Sequence, residues 1–97
     1  GLQNIIKYYE NCSMAELTKE DTILQKKISE RIEFLRIKTG LSQSDFAKKH
    51  DIDRQVINRW ESIKNKRGVT IYSINKFCDM INITIKDFFD SDTFSVK

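Results

Sequence analysis

Residues 41–61 constrain the fold more than any other stretch, because they have the pattern of two short helices joined by a tight turn. Ser42 and Asp53 each precede a helical pattern and can cap it, since their side-chain oxygens accept hydrogen bonds from free backbone N–H groups. Asp51 lies between the two patterns and can adopt the left-handed conformation that a sharp turn requires. Ile52 follows it, and we expect this apolar side chain to fill the angle between the helices.

The second of these helices is predicted to be amphipathic. Its apolar residues recur at spacings of three and four, which places them on one side of a helix. They are Val56, Ile57 and Trp60. The other side carries Arg54, Gln55, Asn58 and Arg59. These residue types alone do not decide between a binding face and a solvated helix face, because any exposed helix can carry Arg and Gln.

The same stretch resembles the helix-turn-helix of the lambda-repressor-like family, also called the Cro or XRE type. In that family Leu-Ser-Gln opens the first helix of the pair, and an aromatic residue followed by Glu closes the second. The matching residues are Leu41, Ser42, Gln43, Phe46, Ala47, Ile52, Asp53, Ile57, Arg59, Trp60 and Glu61. The chain departs from the family at His50 and Asp51, where Leu and Gly are usual. The resemblance extends from about Ile28 to Phe89, and it implies an all-α, five-helix, lambda-repressor-like DNA-binding domain.

Capping residues and apolar spacing predict a longer helix on the N-terminal side of this pair. Asp21 or Thr22 can cap it, and Gly40 follows its last residue, about Thr39, as a C-terminal stop. Its buried stripe is predicted to be Leu24, Ile28, Ile32 and Leu35.

Two more helices are predicted on the C-terminal side. Thr70 can cap the first of them, and Asn82 can end it in the left-handed conformation. Its buried side is predicted to be Ile71, Ile74, Phe77, Cys78 and Ile81. Thr84 can cap a short last helix. The apolar residues of that helix are Ile85, Phe88 and Phe89. From Asp90 onward the sequence is polar, which predicts a frayed tail.

We therefore divide the chain into an N-terminal extension (1–20), a helix-turn-helix DNA-binding domain (21–90) and a C-terminal tail (91–97). The extension is predicted to be a short helical segment with apolar residues on one side. These residues are Leu2, Ile5, Ile6 and Tyr9. Two interpretations stay open for Phe34 and Ile37, which lie off the predicted buried stripe. They are either scattered exposed apolar residues, which are common, or a surface that receives the extension or a partner.

The charge distribution is more informative than the net charge of +3. Between Ala47 and Arg67 the chain has seven Lys or Arg residues and three Asp or Glu residues, a local net charge of +4. From Asp79 to Lys97 four aspartates and two lysines give −2. Basic charge therefore concentrates over the helix-turn-helix and the loop after it, as phosphate binding requires.

The resemblance implies double-stranded DNA as the partner, with residues 53–63 as the recognition helix in the major groove. Gln matches the adenine edge with a donor and an acceptor together, and Arg matches guanine with two donors. We expect base contacts from Arg54, Gln55, Asn58 and Arg59. We expect phosphate contacts from Ser42, Gln43, Lys64, Lys66 and Arg67.

The resemblance also implies a structural ion pair between Arg36 and Glu61. In the family, the matching Arg of the first helix pairs with the Glu that closes the recognition helix. A half-buried charge needs such a partner, because losing one end costs more than the pair contributes. Trp60 is expected to belong to the core and not to a stacking platform.

The residue inventory argues against an enzyme, a metal site and a cofactor. His50 is the single histidine, and no second histidine or cysteine lies at a metal-ligand spacing from it. The chain shows no glycine-rich phosphate loop and no arrangement that indicates a catalytic triad. Cys12 and Cys78 do not make a disulfide framework, and no apolar run has the length of a membrane span. We expect a cytoplasmic protein.

The resemblance implies a sequence-specific transcriptional regulator, with a repressor as the first expectation, that binds as a homodimer to a palindromic operator, as such domains usually do. Three alternatives stay open. The domain can be an antitoxin whose extension binds a toxin, or one piece of a longer regulator. It can also be a protein-interaction module that has lost DNA binding.

Overall fold

The structure is a computed structural model that describes residues 18–64 and 68–95. Within these residues it contains five α-helices and no β-strand, which confirms the predicted all-α, five-helix fold class. The helices are α1 (Lys19–Lys38), α2 (Gln43–Lys49), α3 (Arg54–Glu61), α4 (Ile71–Ile81) and α5 (Ile85–Phe89), and a single 3₁₀ turn (Asp92–Phe94) follows them. The apolar stripe predicted for residues 2–9 of the extension lies outside the described residues.

The first helix begins earlier than predicted. Its N-cap is Thr18 and not Asp21 or Thr22. The Thr18 hydroxyl accepts a hydrogen bond from the Asp21 N–H at 3.1 Å, and the Asp21 carboxylate accepts one from the Thr18 N–H at 3.2 Å. This reciprocal capping box satisfies two backbone donors, so Asp21 acts from the third helical position. At the other end Gly40 has φ +81°, which agrees with the predicted stop.

The turn between α2 and α3 has the predicted conformation. Asp51 is left-handed, with φ +55°. Its N–H donates to the Lys48 carbonyl at 3.2 Å, and the Ile52 N–H donates to the Ala47 carbonyl at 3.0 Å. Ile52 is half-buried and packs against the core. The turn thereby satisfies the last carbonyls of α2 while it redirects the chain.

The other predicted caps are confirmed. Each N-cap side chain accepts a hydrogen bond from a backbone N–H in the first turn of its helix. These caps are Ser42 for α2, Asp53 for α3, Thr70 for α4 and Thr84 for α5. Asn82 ends α4 in the left-handed conformation, with φ +59°.

The core is centred on Phe77 of α4, which touches an aromatic ring from each of three other helices. Its ring centroid lies 5.7 Å from that of Phe46 in α2, 6.3 Å from Trp60 in α3 and 6.3 Å from Phe88 in α5. Aromatic pairs at these separations stabilise beyond the area they bury. Ile32 of α1 is fully buried in the same cluster, so all five helices contribute to one core.

Two residues that were predicted to be buried are largely exposed. Leu24 is 46% exposed, because the buried residues of α1 begin at Ile28 and its first turns extend past the core. Ile71 is 51% exposed, because it lies in the first turn of α4 and burial begins at Ile74.

The prediction that the tail is frayed was wrong for residues 90–95, which contain the ordered 3₁₀ turn. Phe94 in the 3₁₀ turn is half-buried, and its ring centroid lies 5.0 Å from that of Phe89 and 6.3 Å from that of Phe88. One aromatic residue thus holds the start of an otherwise polar segment against α5.

Candidate nucleic-acid interface

One side of α3 is polar and exposed. The four residues predicted to contact bases all lie on α3, and all are exposed: Arg54, Gln55, Asn58 and Arg59. The helix begins where the Asp53 carboxylate accepts a hydrogen bond from the Gln55 N–H at 2.9 Å. It ends at Glu61, before Ser62 turns to extended backbone, so it is shorter than the predicted 53–63.

The opposite side of α3 is fixed in the core. Ile57 is fully buried and Trp60 nearly so, while Val56 is half-buried. The predicted role of Trp60 as a core residue is confirmed by its edge-on contact with Phe77. The polar side chains of α3 therefore project from a helix that cannot easily rotate or shift.

A buried ion pair joins α3 to α1. Arg36 Nε donates to Glu61 Oε2 at 2.6 Å, and Arg36 Nη2 donates to Glu61 Oε1 at 3.0 Å. Arg36 Nη1 also donates to the Leu41 carbonyl at 2.7 Å, just before the cap of α2. The hydrogen bonding that Arg36 donates to the Glu61 carboxylate is the main reason that the pKa of Arg36 is raised above its ordinary value. One guanidinium thereby ties three elements together: α1, the start of α2 and the end of α3.

Gln43 is the first residue of α2, and its side chain forms hydrogen bonds with two side chains of α3. Its Nε2 donates to Glu61 Oε1 at 3.0 Å, and its Oε1 accepts a hydrogen bond from Asn58 Nδ2 at 3.3 Å. An amide nitrogen carries two hydrogens, so one N–H of Gln43 remains for an outside acceptor such as a phosphate. These two bonds were not predicted from the sequence, because Gln43 and Asn58 are joined only by the packing of α2 on α3.

Of the remaining candidates for phosphate contact, the structure describes Ser42 and Lys64. Ser42 is exposed, and its hydroxyl accepts a hydrogen bond from the Asp45 N–H at 3.1 Å as a helix cap. Lys64 is exposed after the end of α3. Lys66 and Arg67 lie outside the described residues.

Two lysines of α2 belong to the same basic region, although sequence reasoning gave them no role of their own. Lys48 and Lys49 are exposed in its last turn. Lys48 lines a shallow crevice of about 370 Å³ at the turn, together with Ser44 and Arg54. The only feature of the sequence that could have indicated a role for Lys48 and Lys49 was their position in the basic stretch between Ala47 and Arg67.

His50 is half-buried at the end of α2 and packs on Phe46, with ring centroids 4.5 Å apart. Burial lowers its pKa below the ordinary value, and the neighbouring Lys49 lowers it further. The imidazole is therefore neutral near pH 7, which fits packing better than charge-based contact with phosphate.

Other kinds of site find no support in the part of the chain that is described. Residues 18–64 and 68–95 contain no group of three or more His, Cys, Asp or Glu side chains placed to hold a metal ion. None of the helices in these ranges combines the length and the apolar character needed to cross a bilayer. Cys78 is buried, and this burial raises the pKa of its thiol, as expected for a core residue.

Comparison with known families places this geometry in a defined class. The family model described as Cro/C1-type HTH DNA-binding domain matches residues 31–93, about two thirds of the chain. The matched range contains the last eight residues of α1 and all of α2, α3, α4 and α5. Searches of curated proteins and of solved structures each give no significant match. The chain therefore belongs to the family of Cro/C1-type helix-turn-helix DNA-binding domains.

Proposed function

We propose that this domain binds specific sequences of double-stranded DNA and regulates transcription, with α3 in the major groove. The observation that carries the proposal is the exposed polar side of α3, set on a helix whose other side is buried. An α-helix with its side chains is about 10–12 Å in diameter, which fits the major groove of about 12 Å.

In this proposal the exposed side chains have two tasks. Arg54, Gln55, Asn58 and Arg59 contact base edges and provide sequence preference. Ser42, Gln43, Lys64, Lys66 and Arg67 contact phosphates, which fix the position of α3 without distinguishing sequences. We further propose that the domain acts as a homodimeric repressor on a palindromic operator, because members of this class commonly bind two half-sites one helical turn apart.

Selection of bound sequences from a random DNA pool is the direct test. A palindromic consensus is the expected result, since it reports specificity and dimer symmetry together. A pool that stays random after selection would contradict sequence-specific binding.

The role of Gln55 makes the first quantitative prediction. Gln55→Ala should weaken binding to the selected operator by about 1–3 kcal/mol, because a base contact of this kind discriminates by that amount. The preference should relax at one symmetric base position. Affinity for unrelated DNA should barely change, because Gln55 has no charge to displace counterions. The measurement is the affinity of the variant for single-base variants of the operator.

Lys66→Ala is the matched control for Gln55→Ala. It should weaken binding to all sequences alike and reduce the salt dependence of log K by about one unit, as expected for one phosphate contact. Uniform loss across the panel for Gln55→Ala as well would show that Gln55 only positions the helix.

A second candidate function, protein binding, is favoured by the outer side of α1. Phe34 is 53% exposed and Ile37 is 58% exposed beside a groove of about 450 Å³. The Phe34 ring is flanked by two cations, with Arg31 5.6 Å and Lys38 5.7 Å from its centroid. Arg31 is itself held by its bond to the Phe88 carbonyl at 2.8 Å. We propose that the N-terminal extension or a partner protein covers this surface; a toxin that co-purifies with the domain would identify it as an antitoxin.

A further inference from the structure

A chain of hydrogen bonds runs from the interior of the domain to its exposed polar side. It starts at Arg36, passes through Glu61 and Gln43, and ends at Asn58. Arg36 and Glu61 are each 8% exposed, Gln43 is half-buried and Asn58 is exposed. The chain therefore links a rigid buried pair to one of the side chains that is proposed to contact a base.

The chemistry of this chain permits only one direction for each amide. The Glu61 carboxylate has acceptors and no donor, so the group of Gln43 that faces it must be the NH₂. The Gln43 carbonyl oxygen then faces Asn58 and can only accept. Asn58 must consequently turn its own NH₂ toward Gln43, which leaves its carbonyl oxygen Oδ1 on the other side of the amide.

We infer that Gln43 is a positioning residue that makes Asn58 present an acceptor, Oδ1, to the DNA bases. In the major groove, adenine N6 and cytosine N4 are amino donors, while guanine O6 and thymine O4 are acceptors. Held in this way, the Oδ1 side of Asn58 favours an amino base, adenine or cytosine, over a keto base, guanine or thymine, while the second N–H of the amide stays available as a donor beside it. The inference rests on the proposed function for its DNA step, but the orientation of Asn58 is a property of the free protein.

Gln43→Met is the variant that separates this role from the others. Met has nearly the shape of Gln but offers no amide, so the chain is cut between Glu61 and Asn58. The ion pair between Arg36 and Glu61 keeps all of its own hydrogen bonds, and the fold should be retained.

The first measurement is made on the free protein. The side-chain NH₂ signals of Asn58 are followed by ¹⁵N NMR, and their hydrogen exchange with water is timed in wild type and in Gln43→Met. We expect the signals to shift and exchange to become several-fold faster in the variant. Unchanged signals and exchange would overturn the inference, because Asn58 would then not be held by Gln43.

The second measurement uses DNA. Asn58→Ala first identifies the base position that Asn58 contacts, as the position where preference is lost. There the wild-type protein should favour amino bases by at least about fivefold, the lower end expected for a specific base contact. In Gln43→Met this ratio should fall to within about twofold, since the freed amide can rotate and offer either group.

The double variant completes the test. In the Asn58→Ala background, Gln43→Met should cause no further change in base preference, because the residue through which it acts is gone. Equal weakening on every sequence by Gln43→Met would show that Gln43 contacts only phosphate, and would overturn its role in base selection. Failure of the wild-type protein to select any sequence would overturn the proposed function instead, while the NMR result would still decide the orientation of Asn58.

Discussion

The helices α1 and α3 are joined by one buried ion pair, yet they distribute their apolar residues differently. In α3 the apolar side chains are buried or half-buried, and the exposed positions are polar. In α1 the buried side holds Ile28 and Ile32, but Phe34 and Ile37 remain exposed on another side. One side of α3 is thus buried in the core and the other is proposed to contact DNA. In α1, by contrast, Phe34 and Ile37 form an apolar side that no other helix of the described domain buries.

This difference separates two kinds of surface on one small domain. The polar side of α3 is supported from behind by close packing and by the bonds of Arg36, so its groups are held in place for recognition. The outer side of α1 has exposed apolar area, which is a feature of protein-contact surfaces. We expect substitutions on the two helices to act on different properties, and three predictions test this.

The same substitution on each helix should have very different effects on stability. Ile57→Ala in α3 should lower the free energy of unfolding by about 4 kcal/mol, because it removes a fully buried side chain and leaves a cavity. Ile37→Ala in α1 should cost much less, about 0.5 kcal/mol as at other exposed positions, and about 1 kcal/mol if the extension covers Ile37. Urea unfolding followed by circular dichroism measures both. Similar losses for the two variants would mean that Ile37 is covered by a stable contact in the full chain.

Breaking the link between the helices should have the next largest effect. Glu61→Ala should cost about 3 kcal/mol, because Arg36 would keep a buried charge without its partner. Glu33→Ala is the matched control, since Glu33 also interacts electrostatically with Arg36 but is exposed and should contribute little. Thermal melts of the two variants decide this. A shift of a degree or less for Glu61→Ala would show that the pair adds little to stability.

The smallest effect is expected on the outer side of α1. If residues 1–12 cover Phe34, then Phe34→Ser should cost about 1 kcal/mol in the full chain and close to nothing after deletion of these residues. Neither change should alter base preference. Urea unfolding of the four proteins gives the coupling, and sedimentation shows whether a second copy is involved. Equal costs with and without residues 1–12 would show that the extension does not contact Phe34.

Much of the local structure could be predicted because its causes are local. Ser42, Asp53, Thr70 and Thr84 cap their helices by bonds to backbone groups two or three residues away. The same short range explains the one error in capping. Thr18 and Asp21 form a capping box. Asp is a residue type that is common at the N-cap, but here Asp21 occupies the third position of the helix. The buried and exposed sides of α3 could be predicted as well, since the amphipathic pattern depends only on the period of the helix.

The sequence by itself therefore determined the helix order, the turn at Asp51 and which side of α3 is polar. Tertiary structure decided which apolar residues of α1 are buried, because that depends on how far the other helices reach along it. It also decided that Gln43 bridges Glu61 and Asn58, residues 18 and 15 positions away. Sequence periodicity cannot predict these two hydrogen bonds. They form only when α2 and α3 pack at the angle that the turn and the buried ion pair impose.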